Sequence, residues 1–441
     1  MKYLKPLLLC IGLLFFFQCQ KDDSGPTKST QSISGKLAID YMELLRDYTK
    51  LTPGFSPPVA ARAFGYAGLT LYEAVVHGMP EYQSMVGQLN ELNELPMPVA
   101  DTYHWGQVAN AAMAEVARLY YPSAPPSLKP RLVLMEASYK TDFLNETNES
   151  VLERSTLYGQ QLANAIFEYS KNDGGHEGFN KNFPGFPNLP VGPGYWVSTS
   201  AANPTPLQPY WGNNRTFVKD ITIHTQPVKP PDYSTEKTSP FYIQALEVYN
   251  VTKNLDQEQA IIAKYWSDDP GNAGTPPGHS ISIASQVLGL ENADLAVAAE
   301  TYAKLGIAIS DAFVSCWKCK YTFNLVRPVT YINKNIDANW TTLLATPPFP
   351  EYTSGHSVQS GATARVLSVI FGTNYAFVDH THERRTDIPG APRSFRSFDH
   401  AAQEAAISRL YGGIHFRDAI DLGVLQGNKV GDAVNALAFK K

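Results

Sequence analysis

Charge is scarce in this chain, and so is cysteine. Only 17% of the 441 residues are charged, the formal net charge is −5, and cysteine occurs four times. No basic excess exists, which excludes the electrostatic footprint of a nucleic-acid binder. Low charge combined with 44% apolar residues also excludes a largely disordered chain. Sustained apolar/polar alternation is missing, so no half-buried strand system is expected. Beyond residue 19 no apolar run approaches the roughly 18 residues of a membrane-spanning helix. An anionic partner must therefore be recognised by a local pocket.

At the N-terminus, Lys2 and Lys5 precede an apolar run from Leu7 to Phe17 that ends at Gln18-Cys19. A run of that length suits the core of a signal peptide. Cys19, followed by Gln20-Lys21-Asp22-Asp23, resembles the lipidation site of a bacterial lipoprotein, although Gln18 stands where a small residue is usual. The expectation is a signal peptide over 1–18, a lipidated tether over 19–33 and export to the outer membrane, periplasmic or cell-surface. Contact with the membrane is expected only through a lipid on Cys19. Cys316 and Cys319 then form either a structural disulfide or two inert thiols, because zinc would need ligands that no second cysteine pair supplies.

Past the Ser/Thr/Gly-rich stretch near 24–33, apolar residues return at helical spacing in segment after segment. Ala38, Tyr41, Leu44 and Leu45 form one stripe; Ala60, Phe64, Ala67, Leu71 and Val75 form another behind Pro57-Pro58. Further helices are expected near 103–121, 126–146, 149–171, 241–253, 256–267, 278–289, 293–318, 355–371, 399–411 and 418–438. The expected class is all-α, as two packed helical bundles over 34–171 and 241–441, the C-terminal one carrying the pocket described next. Between them, residues 172–240 are crowded with Gly, Pro and aromatics and read as a covering loop. A short strand pair is expected near Phe217 to His224.

Three short stretches carry chemistry. Lys320 and Arg327 follow a long helical pattern, and Pro328 biases Arg327 toward extended backbone, which gives its guanidinium fork a defined direction. In Thr353-Ser354-Gly355-His356 a hydroxyl residue caps a helix whose N-terminus favours an anion, and Gly355 admits a ligand close to the backbone N–H. Arg409 and His415 flank Gly412-Gly413, a break that returns His415 toward the side of Arg409. Together they describe a cage for a tetrahedral oxyanion.

The spacing Lys-x6-Arg-Pro, Ser-Gly-His, Ser-Arg-x5-His is similar to the three-part signature of the superfamily that unites vanadium-dependent haloperoxidases with type 2 phosphatidic acid phosphatases and bacterial acid phosphatases. Residues from Ala61-Arg62 to Glu73-Ala74-Val75 resemble the N-terminal helix of the haloperoxidase branch. Two positions depart: Thr353 stands where the family usually has Pro, and Asp418 follows His415 at three residues instead of four. The resemblance implies vanadate as cofactor, bonded to His415, with Lys320, Arg327, Ser354, Gly355 and Arg409 around its oxygens and His356 as acid/base. It implies hydrogen peroxide and halide as substrates, polarisation by Lys320 and hypohalous acid as product, iodide or bromide being favoured. The alternative on the same scaffold is an acid phosphatase with His415 as nucleophile.

By the same resemblance Trp317 and Phe349 line the pocket. Tyr265 or Trp266, beside Asp268, is expected at its entrance. Asp268 either pairs with Arg409 or caps a helix beside Pro270. Asp418 reads as a helix N-terminal carboxylate facing the dipole. His279 has no evident partner. Asp379-His380-Thr381-His382-Glu383 is expected to be a solvated loop, since Arg384-Arg385 beside it weighs against a bound cation.

Overall fold

Helical spacing in the sequence becomes helix throughout the computed structural model, which describes residues 29–181, 188–199, 204–389 and 391–441. The leader, Cys19 and the Phe183–Pro187 run lie outside those residues. The first half contributes α1 (Lys36–Leu51), α2 (Pro57–Val75), α3 (Trp105–Tyr120), α4 (Lys129–Leu144) and α5 (Glu149–Lys171). Local chemistry sets where these begin. Pro57 opens α2, where a missing N–H loses nothing, and the Asn148 side chain accepts from Val151 N at 3.0 Å to cap α5.

The intervening segment is irregular apart from short turns, among them α6 (Ile221–His224). It therefore forms a helical turn where a strand pair was expected. Asp311, fully buried, accepts from Phe217 N and Val218 N at 2.8 Å each and pins this segment from below. Those two bonds consume the backbone donors that a strand ladder would need.

The second half continues with α7 (Pro240–Lys253), α8 (Gln257–Tyr265), α9 (Pro270–Ala273), α10 (Thr275–Leu290), α11 (Leu295–Phe323), α12 (Pro328–Asn335) and α13 (Gly355–Phe371). It closes with α14 (Phe398–Tyr411) and α15 (Arg417–Asn435). A small antiparallel pair, β1 (Phe377–Asp379) with β2 (Arg393–Phe395), is the sheet seen among the described residues. Three-residue strands are too short to show as alternation, so the sequence offered no sign of them.

α11 is the shared wall. A Cβ on Gly68 of α2 would lie 2.1 Å from Tyr302 O, and one on Gly306 of α11 would lie 2.6 Å from Phe64 O, so only glycine lets these two helices run so close. One apolar core accordingly runs from α1–α5 through α10 and α11 into α13, and a smaller cluster gathers around Phe241, Tyr331 and Phe416. The covering segment crosses α11 where Gly212 meets the Lys318 backbone, a Cβ there falling 2.4 Å from Lys318 N.

Residues 30–33 also differ from expectation. Thr30 and Ile33 are buried, and Ile33 O accepts from Leu295 N at 2.8 Å, so the end of the supposed tether packs on the fold. Among the described residues no helix is long and apolar enough to cross a membrane.

Candidate active site

Ser354 sits at the N-cap of α13, its hydroxyl accepting from Ser357 N at 3.3 Å, and this aims the helix N-terminus at the end of α11. α14 runs two residues past Arg409, and Gly413 then takes a φ of +77°, turning the chain so that His415 re-enters beside it. Arg327, extended ahead of Pro328, lies between them. A cavity of about 540 Å³ opens above, with Gly355, His356, Arg409 and His415 in its wall together with Trp317, Phe349 and Asp268. Lys320, Arg327 and Ser354 are each fully buried behind that wall.

His415 has a defined tautomer. Arg327 Nη1 lies 3.2 Å from His415 Nε2, and a guanidinium can only donate, so Nε2 carries the lone pair. Nδ1–H then donates to Glu351 Oε1 at 2.7 Å. Glu351 also accepts from Phe416 N at 2.9 Å, and burial raises its carboxyl to about 7. Glu351 was missed in the sequence. Its one signal was a carboxylate standing alone in a Pro/aromatic run, three residues before Ser354. It occupies the place behind the histidine that Asp418 does not reach: Asp418 lies in the first turn of α15 and accepts from Gln244 Nε2 at 3.0 Å.

The cations are crowded. Burial lowers Lys320 to about 8, and burial with few compensating charges lowers Arg327 and Arg409 to about 10. Arg327 Nε and Nη1 donate to Phe349 O and Ile414 O at 2.8 and 2.9 Å, while its Nη2 is buried with no partner. An unpartnered buried guanidinium N–H is costly unless an anion completes it. Space for one exists: a Cβ on Gly355 would meet nothing closer than Phe313 and Trp317 at 3.8 Å. The donor set therefore fits a tetrahedral oxoanion such as vanadate.

Lys320 differs from a free polarising group. Its Nζ donates to Pro350 O, Glu351 O and Thr353 O at 3.1, 3.0 and 2.5 Å, so all three protons are engaged by the segment that carries Glu351. Cys316 and Cys319 are free thiols in α11, raised by burial, Cys319 to about 12. Of the two alternatives, inert thiols is the outcome.

Other expectations are corrected. Tyr265 lines no part of the cavity; its ring packs on Trp266 and His382, and its hydroxyl donates to Asp379 Oδ2 at 2.6 Å. Trp266 likewise turns away, Nε1 donating to Glu404 Oε1 at 3.0 Å. Arg409 donates to Ser408 Oγ at 3.0 Å and Ala263 O at 3.3 Å, so Asp268 acts on it through charge, without a hydrogen bond. The expected solvated loop holds for His380 and Glu383, which are exposed, but Asp379 and His382 are buried, because β1 ends against α10 and its polar end finds partners there. His279 does have partners, Asp268 and Asp379.

Comparison with known proteins gives a consistent picture. Residues 300–440 match the VCPO second helical-bundle domain. The chain is 25% identical over 462 residues to the vanadium chloroperoxidase of Curvularia inaequalis, covering 83% of this chain and 75% of that protein. It superposes on the crystal structure of a bacterial vanadium-dependent iodoperoxidase with a TM-score of 0.81 and 37% identity, covering 93% of this chain and 98% of that one. A holo-type bacterial vanadium-dependent chloroperoxidase shares the fold at 17% identity, with a TM-score of 0.63 over 92% and 93% of the two chains.

Proposed function

From the premise that this chain belongs to the vanadium-dependent haloperoxidases, enzymes that oxidise halide with hydrogen peroxide, we propose that it favours iodide or bromide over chloride. The observation that carries this preference is the apolar part of the cavity wall, where Trp317, Phe349, Phe313, Leu344, Pro347 and Pro348 offer nothing to replace a halide's hydration shell, the polar members including Ser267, Thr346 and the residues of the cage side. Desolvation penalises a small ion most, so iodide enters at the least penalty and chloride at the greatest. The likeness to an iodoperoxidase, at higher identity than to the chloroperoxidases, supports iodide.

When bound, vanadate supplies a Lewis-acidic centre that activates peroxide toward halide. The chain's own residues hold and serve it. His415 offers the Nε2 lone pair, and Glu351 keeps the ring in that tautomer and orientation. Arg327 through its unpartnered Nη2, Arg409, the Ser354 hydroxyl and the Gly355 N–H bind oxygens at a helix N-terminus. Lys320 adds charge and braces the 350–353 segment under His415. Burial and the Arg409 cation hold His356 down to about 4, so in the vanadate-free pocket it is neutral and able to take a proton. Its Nε2 is buried 3.4 Å from Asp268 Oδ2, at ion-pair distance without a hydrogen bond, and the residue lies in the cavity wall. An anion in the cage raises its proton affinity.

The test is reconstitution with orthovanadate followed by peroxide-dependent oxidation of each halide. Iodide turnover that phosphate competes away, with kcat/KM falling through bromide to chloride, is the expected result; equal or better use of chloride overturns the preference. We also propose that Cys19 carries lipid and anchors the exported protein. Radiolabelled palmitate should enter the wild-type chain and be lost with Cys19→Ala; labelling unchanged by that substitution rejects the anchor.

A further inference from the structure

A second group of buried titratable residues lies behind His356. His279, 1% exposed on α10, has Nδ1 2.7 Å from Asp268 Oδ1 and Nε2 2.6 Å from Asp379 Oδ2. Ionised carboxylates only accept, so both ring nitrogens carry protons and the ring is an imidazolium clamped between two aspartates. Its face stacks on Trp266 with centroids 4.6 Å apart. Asp379 is further held by Tyr265 Oη at 2.6 Å, Thr381 N at 2.9 Å and Thr381 Oγ1 at 2.6 Å. The other oxygen of Asp268, Oδ2, is the one that faces His356.

Asp268, His279 and His382 also bring ligand-type atoms within 4.8 Å of one another. A metal reading fails on geometry. Carboxylates at 2.6 and 2.7 Å on both ring nitrogens of His279 are at hydrogen-bond distance and leave that ring no lone pair to give a cation.

We propose that His279 is a positioning residue for the halide-oxidising site: clamped by Asp379, it fixes Asp268 with Oδ2 toward His356 and lends a positive charge that holds His356 in its unprotonated form. The role rests on the reading of His356 as the proton-handling group. Charged and titratable groups facing this array are Asp268 before α9, Asp379 of β1, His382 after it, Tyr265 of α8, Arg393 of β2, His356 of α13 and Arg409 of α14. The two aspartates outweigh the burial that disfavours a charged His279 and push it up to about 10, which agrees with the clamp. His279 in turn is one of the charges holding His356 down.

The experiment uses the full chain with ¹⁵N-labelled histidine, free of vanadate. His279 should show two ring N–H protons that persist to pH 8. In His279→Gln the His356 midpoint should rise by about one unit, and the acid limb of peroxide-dependent iodide oxidation should move in the same direction. Asp379→Asn, which keeps a hydrogen-bond acceptor for Nε2–H but removes a negative charge from the clamp, should shift the His356 midpoint in the opposite direction, downward, and it stands in if the first variant fails to fold. A singly protonated His279 at pH 7 overturns the proposal. So does a uniform loss of rate with the His356 midpoint unmoved, or a stoichiometric divalent cation in the purified wild-type protein. Failure of wild-type protein to retain vanadate would instead sink the reading of the cage and leave the ring measurements standing.

Discussion

Two groups of buried charge flank His356, and they are built in opposite ways. On one side Lys320, Arg327, Arg409 and His415 crowd positive charge around an unpartnered guanidinium N–H. On the other, Asp268, His279, Asp379 and Tyr265 close on one another in short bonds. Burying charge is tolerable only with compensation. The open cluster therefore marks where a ligand belongs, and the closed one marks a support. Composition alone would not separate them, since each contains histidine beside charged residues; the unpartnered, permanently protonated Arg327 Nη2 does.

Breaking the open cluster should have the largest effect. His415→Ala is expected to reduce vanadium content after reconstitution to background by elemental analysis, with iodide oxidation lost alongside it. Glu351→Gln keeps an acceptor for Nδ1–H and removes the charge, so vanadate affinity should fall about 10–100-fold, read from activity against vanadate concentration.

Breaking the closed cluster should show in stability. Asp379→Ala takes away one of the two carboxylates that hold the buried imidazolium and leaves its Nε2–H without a partner, and should destabilise the fold by about 3–5 kcal/mol in denaturant titrations. A pH series sharpens the contrast. Lys320 has its folded value lowered from the ordinary 10.5 to about 8 by burial, so the unfolded chain binds more protons between those values. Vanadate-free protein should gain stability as pH rises through that window, and its affinity for phosphate should decline over the same range as the lysine charge is lost. Phosphate affinity that stays flat through pH 8–10 would show that Lys320 contributes no charge to the cage. Asp418→Ala should change activity by less than about twofold and stability by about 0.5 kcal/mol, because that carboxylate touches neither cluster.

Much of the cage was legible because its parts are local. A serine cap, a glycine and a histidine in one tetrapeptide, and an arginine held by the next proline, act through neighbours in sequence. Glu351 and His415 are 64 positions apart, and His279 and Asp379 are 100 apart. No pattern within either segment names the other, so Glu351 went unseen and Asp379 and His382 passed for solvated residues. Tyr265 illustrates the same limit: its place on α8 is helical as expected, but its direction depends on where β1 ends.

By itself, then, the sequence determined the all-helical class, the main helices and the oxyanion motifs, since caps, periodicity and proline act over a few residues. Tertiary structure decided which carboxylate stands behind His415, which nitrogen of that ring carries the lone pair, and which aspartates enclose His279. Those choices follow from burial: once water is excluded, each charge must take the partner that packing brings within reach, however far away along the chain that partner lies.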